Sequence, residues 1–386
     1  MRFGIIGTGG RSLAYLDIIK NMPGQEITAM CDTDPDRLKA YRSEHLPGLS
    51  EDKVYLSHKK MLADNSADIL LICTPDTQHR EIAVDCAAAG KDMLLEKPVA
   101  TTVEDTLVIL EALSSHKRSV YLGFVLRYTE FYQKIKEIVR SGGLGSIVTV
   151  QAKEMLDARH ASSFYRRWHR YKINNGGLMN AKCSHDLDML SWIIGSEPLQ
   201  TAAFGGRRFF VPISGAAQRC RDCELAENCV YAFNNRYYDE NFGGFHSLSD
   251  LCVYNSEKDI VDHECMIISF RDGTVAQFEL CMFGHEENRT IAIHGTKAVL
   301  KGDFLKGEIS VLPIGNGAPQ DHSPAGSGGG HGGGDQRLIE EMLENISAGR
   351  IINHARDGCL ATLTALAGEI SMEEGRVVDL DTLMGK

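Results

Sequence analysis

No run of apolar side chains in the 386 residues approaches the length of a membrane span, so a membrane partner is not expected. The amino terminus lacks the long apolar stretch and small-residue cleavage site of a secretion signal; Met1-Arg2-Phe3-Gly4-Ile5-Ile6 goes straight into a strand pattern. The expected location is therefore the cytoplasm. Positive charge is in deficit: 41 Lys and Arg against 52 Asp and Glu leave a formal net charge of -11. Nucleic-acid binders generally carry a basic footprint, so a polyanionic partner is not expected either. The eleven cysteines are an odd number, and without a secretion signal they argue against a full disulfide framework and for thiols or metal ligands. The length exceeds what one ordinary core organises, so two domains are expected.

What is present begins with a strand, Arg2–Ile6, followed at once by Gly7-Thr8-Gly9-Gly10-Arg11-Ser12 and a helical pattern through Leu13, Leu16, Ile19 and Lys20. Strand, glycine turn and helix stand in dinucleotide-binding order. The glycines permit a tight turn and bring backbone N–H groups and the positive end of the helix to a pyrophosphate. Ser12 replaces the third glycine, which a close helix-strand contact can absorb. A second strand at 27–31 ends in Asp32, placed to accept both ribose hydroxyls, and Thr33 and Asp34 follow with no cation to greet a 2′-phosphate. That favours NAD over NADP. The alternative is a glycine turn followed by an unrelated aspartate.

The alternation continues through a strand at 68–73 broken by Thr74-Pro75, a helix at 78–89 closed by Gly90, and a short buried strand, Asp92–Leu95. This last strand ends in Glu96-Lys97-Pro98, where Pro98 sets the exit direction and Lys97 is held at the carboxyl edge of the sheet, the edge that binds ligands. A partly desolvated lysine beside a cationic ring exchanges protons near neutral pH; the bland alternative is a solvated charge pair. A helix at about 103–114 and a strand at 119–124 complete an α/β, doubly wound parallel sheet, and the first domain is expected to end at 124.

The glycine turn, Thr74-Pro75 with His79, Gly90-Lys91 leading into Glu96-Lys97-Pro98, and a later glycine-plus-histidine segment together resemble the Gfo/Idh/MocA oxidoreductase family over nearly the whole chain. The resemblance implies a Rossmann domain at 1–124 and a second, α+β domain at 125–356 with an open, mostly antiparallel sheet that supplies the substrate wall and often the homo-oligomer interface, here a dimer or tetramer. A Cys-rich insertion lies at about 215–252, and 357–386 is expected to pack back on the core. By the same resemblance Lys97 lies beside the nicotinamide and is catalytic, and Glu96 helps hold its ribose. The expected cofactor contacts are Gly7, Thr8, Gly9, Gly10, Arg11, Ser12, Asp32, Thr74, Pro75, His79, Glu96, Lys97 and Arg127.

In the second half, a helix at 127–141 carries Phe131, Ile135, Ile138 and Val139 on one stripe and is stopped by Gly142 and Gly143; a strand follows at 147–155. Residues 159–172 are basic and aromatic, with Tyr165, Arg166 and Trp168 as candidate substrate contacts: rings stack on a sugar face while arginines donate to hydroxyls. A plain solvated loop and a single-strand nucleic-acid platform are the alternatives. From Leu178 onward the spacing is helical, which puts Lys182, His185 and Asp188 on one face. His185 is expected to share the hydroxyl proton with Lys97 while hydride leaves the same carbon, with Lys182 and Asp188 near the substrate; a satisfied core histidine is the alternative. Many family members have an aspartate four residues before this histidine. Here Ala181 stands there, so Lys182 or a residue of the basic segment takes over from the missing carboxylate.

Cys220-Arg221-Asp222-Cys223, then Cys229 and Cys252, suit a closed, structural tetrahedral zinc, with free thiols as the alternative. Strands are expected at 260–270, 274–282, 290–294 and 298–302. A glycine-rich segment at 326–334 contains His331, which the resemblance puts at the substrate mouth, although a flexible linker is the other reading; Asp335 is placed to cap a helix at 336–346. A helix at 357–372 and a strand at 376–380 close the chain. The function expected is NAD-dependent oxidation of a secondary alcohol in a sugar, glycoside or cyclitol. The alternatives are an NAD-retaining glycoside hydrolase or lyase working through transient oxidation, and a non-catalytic dinucleotide or sugar sensor.

Overall fold

Fully apolar runs such as Ile69–Ile72 have no face to offer water, and they become central strands of a parallel sheet covered on both sides. The computed structural model describes residues 1–233, 250–315, 317–324 and 332–385. Two compact units result: Met1–Tyr128 with Gly333–Cys359, and Thr129–Gly332 with Leu360–Lys386.

In the first unit the strands β1 (Arg2–Ile6), β2 (Glu26–Cys31), β3 (Val54–Tyr55), β4 (Ile69–Ile72), β5 (Asp92–Leu95) and β6 (Val120–Leu122) form one sheet in the order β3-β2-β1-β4-β5-β6. Every neighbouring pair is parallel. The crossovers are helices α1 (Gly10–Lys20), α2 (Pro35–His45), α3 (His58–Ala63), α4 (His79–Ala88) and α5 (Val103–Ser114). Local chemistry starts them: Asp34 accepts from the N–H groups of Asp36 and Arg37 with Pro35 in the first turn of α2, and Thr102 accepts from Asp105 at the head of α5. The strand order reverses between β1 and β4. The turns after β1, β4 and β5 therefore meet at the carboxyl edge beside the switch point.

In the second unit come α6 (Glu130–Arg140), β7 (Ile147–Met155), α7 (Ala158–Arg166), α8 (Leu178–Ile194), β8 (Pro198–Gly206), β9 (His263–Phe270), β10 (Val275–Cys281), β11 (Asn288–Gly295), β12 (Ala298–Asp303), β13 (Glu308–Pro313) and β14 (Gln320–Asp321). Helix α9 (Gly334–Ser347) follows, then α10 (Ala355–Glu374), β15 (Val378–Asp379) and α11 (Leu380–Leu383). The nine-stranded sheet has the order β14-β13-β12-β11-β7-β10-β9-β8-β15 and is antiparallel except where β10 runs parallel to β7. Along β7 the side chains alternate, with Val150, Ala152 and Glu154 buried and Thr149, Gln151 and Lys153 exposed. The exposed face is a shallow concavity of about 650 Å³ floored by residues such as Gln151, Lys153, Gln277 and Glu279. Among the described residues no helix is long and apolar enough to cross a membrane.

Three local features differ from the sequence reading. The compact units break after 128, 332 and 359 rather than at 124 and 356: α9 lies in the first unit because Leu338, Ile339, Met342 and Leu343 join the apolar cluster of Phe3, Ile5, Leu16 and Ile69, whereas the chain from Leu360 onward belongs to the second. Asp335 does not cap α9, whose N-cap is Gly333; its carboxylate accepts from Arg11 instead. The basic aromatic segment folds mainly as α7, capped by Asp157 on the N–H of His160, rather than as an open loop. His331 lies outside the described residues, as does part of the Cys-rich insertion.

Candidate functional site

The glycine turn after β1 is built around two different requirements. Gly7 has φ +91°, and a Cβ there would lie 2.7 Å from the main chain of Cys73, so an L side chain is excluded. A Cβ on Gly9 would meet nothing within 4 Å; the space before the first turn of α1 is open. Ser12, fully buried, donates its hydroxyl to the Gly9 carbonyl at 2.7 Å and lies 3.0 Å from the Tyr41 hydroxyl, which is how a serine serves at the third small position. Asp32 at the end of β2 is fixed by Thr8, whose N–H (2.9 Å) and hydroxyl (2.8 Å) both donate to Oδ2, while the N–H of Asp34 donates to Oδ1 at 3.1 Å. One statement of the sequence reading is corrected here. A cation is at hand: Arg37, on the first turn of α2, brings its guanidinium to 3.6 Å from both Asp32 and Asp34.

Glu96 is buried beyond the end of β5 and is held from three sides. Arg11 Nε pairs with its Oε1, the Tyr15 hydroxyl donates to the same oxygen at 2.6 Å, and the Lys97 N–H donates to Oε2 at 3.0 Å. Burial alone would raise its pKa; Arg11 and Tyr15 outweigh that and hold it below the usual carboxylate range. Gly123 leaves the room required, since a Cβ there would lie 2.6 Å from Glu96 Oε2. Arg11 also reaches Asp335 at 2.5 Å, so this turn residue is committed to two carboxylates within the unit. His79, buried, puts Nδ1 2.8 Å from the Pro98 carbonyl and Nε2 3.1 Å from the Thr74 carbonyl, joining the turn after β4 to the turn after β5, where the Lys97-Pro98 peptide is cis. Burial lowers its pKa. Arg127 is held by Asp357 at 3.0 Å. A residue not singled out from the sequence, Asp76, stands next to this turn: burial raises its carboxyl to about 8 against the attraction of Lys97. Its position directly after Thr74-Pro75 was the available signal.

In the second unit α8 is buried along nearly its whole length and carries Lys182, His185, Asp186 and Asp188. Lys182 pairs with Glu154 of β7, at 2.8 Å. Arg289 of β11, directly opposite Glu154 in the strand register, reaches it at 2.5 Å and Asp186 at 2.9 Å. Burial would raise Glu154; Arg289 and Lys182 hold it down at about 2, while burial and the neighbouring Glu154 raise Asp186 to about 7. Alongside, His160 and Glu287 meet at 3.0 Å; burial lowers the imidazole, and His160 keeps Glu287 at about 2 although burial opposes this. The carboxylates that meet Lys182 and His160 thus come from β7 and from the segment before β11. Glu154 and Arg289 were legible only as charges on the inward positions of alternating strands. Two expected substrate contacts face inward: the Tyr165 hydroxyl donates to the Val261 carbonyl at 2.8 Å, and Arg166 donates to the carbonyls of Leu251 (2.9 Å) and Tyr231 (2.5 Å). Main-chain carbonyls thus engage the Tyr165 hydroxyl and two donors of Arg166. Trp168 stacks on His169 with ring centroids 3.7 Å apart.

Residues 1–124 match the family described as "Oxidoreductase family, NAD-binding Rossmann fold", and residues 136–380 match its C-terminal alpha/beta domain. YteT of Bacillus subtilis (strain 168) is 27% identical over 357 residues, covering 82% of each chain. The myo-inositol 2-dehydrogenase of Thermotoga maritima is 25% identical over 205 residues, 53% of this chain and 58% of that protein. Among solved structures, an oxidoreductase domain protein from Kribbella flavida superposes with TM-score 0.76 at 18% identity, covering 98% of both chains. A levoglucosan dehydrogenase in complex with NADH and levoglucosan gives 0.74 at 18%, covering 98% of this chain and 99% of that one. At such identities the superpositions speak for the fold.

Proposed function

This chain belongs to the Gfo/Idh/MocA family of NAD-binding oxidoreductases, and from that premise we propose that it transfers hydride between NAD and a secondary alcohol of a sugar, glycoside or cyclitol. The observation that carries the reading is the turn after β5, where Lys97 follows a Glu96 locked by Arg11 and Tyr15 at the carboxyl edge of the sheet. The residues fit a dinucleotide: the open space at Gly9 accepts a pyrophosphate against the N–H groups of α1, and Asp32, preset by Thr8, accepts ribose hydroxyls. When bound, NAD supplies the hydride acceptor. Lys97 takes the hydroxyl proton as the alcohol becomes a carbonyl. Thr8 and Arg37 orient Asp32, and His79 ties the two turns that carry Thr74 and Lys97.

In the second unit His185 is assigned the exchange of a proton with the substrate hydroxyl, and Lys182 and Asp188 the orientation of neighbouring hydroxyls. The Glu154–Arg289–Asp186 network fixes the Lys182 ammonium for that purpose. Inositols and levoglucosan, named for relatives and a structural neighbour, are polyhydroxylated rings, and a lining of this kind has donors and acceptors for such rings. The test is NAD reduction, followed as NADH absorbance, across a panel of inositols, monosaccharides and glycosides. One or more substrates should give stoichiometric NADH, and Lys97→Ala should lose turnover by at least about a hundredfold while binding NAD normally. Product without NADH release would instead identify the transient-oxidation cycle. Full turnover in Lys97→Ala would remove the lysine from the mechanism.

A further inference from the structure

The insertion between β8 and β9 has a chemistry of its own. Its core is small, a ring cluster of Phe209, Phe210, Tyr231 and Tyr254, and other apolar groups, Leu225 and Val230 among them, are exposed. A core of that size commonly depends on a staple. Cys220, Cys223, Cys229 and Cys252 all line one small cavity of about 40 Å³, walled otherwise by apolar and aromatic groups including Leu225, Tyr231 and Tyr254. None of these four cysteines is in a disulfide. Main-chain bonds draw the two cysteine-bearing segments together: the N–H of Cys220 donates to the Asp250 carbonyl at 2.7 Å and that of Cys252 to the Gln218 carbonyl at 2.9 Å. Two of the sulfurs already accept backbone N–H groups, Cys220 from Phe233 at 3.3 Å and Cys252 from Asn255 at 3.5 Å. The buried Arg166 guanidinium stands 3.7 Å from Cys220 Sγ. N–H donors and a cation placed around sulfur are the surroundings that metal-bound sulfurs commonly have.

We propose that Cys220, Cys223, Cys229 and Cys252 bind one structural zinc ion in the cavity they share, tying together the two segments of the insertion that carry them. Four soft sulfur donors, two of them in a Cys-x-x-Cys turn, match tetrahedral zinc, which binds thiolate at about 2.3 Å. No three of the four sulfurs lie within 4.8 Å of one another, so binding rotates the side chains inward from the cavity wall. As each sulfur bonds the metal its thiol releases a proton to solvent, and the resulting anionic site is offset in part by Arg166. With all four positions filled by protein the ion has no place for substrate, so its role is in holding the insertion.

The experiment is metal analysis of the untagged full chain by mass spectrometry after exhaustive dialysis, with mercurial titration of the thiols. About one zinc per chain is expected, released by the mercurial, and Cys223→Ser and Cys252→Ser should each lose it, while Cys265→Ser, at an exposed cysteine outside the cavity, should retain it. Cobalt substitution should give the intense charge-transfer and d–d bands of a four-sulfur tetrahedral site. The wild-type metal content decides the matter even if the serine variants fail to fold. Less than about a tenth of a zinc per chain, iron in its place, or an intact mass two hydrogens short from a Cys220–Cys223 disulfide would each overturn the proposal.

Discussion

Replacing Glu154 by glutamine keeps the shape of the side chain and removes its charge between Lys182 at 2.8 Å and Arg289 at 2.5 Å, with Glu154 fully buried. At an effective dielectric of about 20, one such pair at contact is worth roughly 6 kcal/mol gross, much of it offset by desolvation. Breaking a buried pair by removing one partner typically costs about 3–5 kcal/mol because the other charge is stranded. Arg289 keeps Asp186, whose carboxyl ionises more readily once Glu154 no longer raises it, so the loss falls chiefly on Lys182. We expect Glu154→Gln to destabilise the second unit by about 3 kcal/mol, or roughly 6–12 °C in melting temperature. Glu154→Gln/Lys182→Met should recover at least about half of that, since it strands no ammonium. Both tryptophans, Trp168 and Trp192, lie in the second unit, so urea unfolding followed by tryptophan fluorescence reports on this unit selectively. The folded pKa of Asp186 stands above its unfolded value, so the folded state retains this proton between about pH 4 and 7 and stability falls as pH rises through that window. In Glu154→Gln that fall should shrink. A coupling energy below about 0.5 kcal/mol in the double-mutant cycle would show that the pair does not act as a buried ion pair, and the argument would fail.

Other outcomes follow from the first unit. Asp32→Ala removes the carboxylate that repels a 2′-phosphate and leaves Arg37 to receive it, so the preference for NAD over NADP, measured as a ratio of dissociation constants, should drop by at least about tenfold; an unchanged ratio would exclude Asp32 as the determinant. The Asp76 carboxyl, raised to about 8 by burial, keeps a proton that the unfolded chain gives up near pH 4, so its contribution to stability declines as pH rises between those values. Asp76→Asn should therefore melt progressively higher than wild type from pH 6 to pH 9, and parallel melting curves would contradict the assignment. Gly123→Ala forces a Cβ to 2.6 Å from Glu96 Oε2 and should displace Glu96 from Arg11 and Tyr15, costing about 1–3 kcal/mol of stability and weakening NAD binding in calorimetry. Wild-type values for both would mean that Glu96 has slack the geometry does not show.

Much of this protein could be read from the chain alone, because the relevant physics is local. Unbroken apolar runs such as Ile69–Ile72, alternating with helical periods, dictate a buried parallel sheet. Gly7, Thr8 and Gly9, followed by Asp32 at the end of the next strand, mark the turn at which backbone can approach a ligand. Glu96, Lys97 and Pro98 are visible because charge and a proline interrupt an apolar strand. Tertiary structure decided the partners. Arg11 could be seen at the glycine turn, but not that its guanidinium is taken by Glu96 and by Asp335, 324 residues away. Arg37, by contrast, is only five residues beyond Asp32, and the first turn of α2 is enough to return its guanidinium to that carboxylate. Tyr165 and Arg166 looked like an open substrate surface until α7 turned them onto main-chain carbonyls. Glu154 and Arg289 face each other because β7 and β11 are neighbours in the sheet, although β8, β9 and β10 lie between them in the chain. Periodicity tells which face of a strand is buried, whereas the charge that will stand opposite depends on which strands pair, and that follows from the packing of the whole unit rather than from any local pattern.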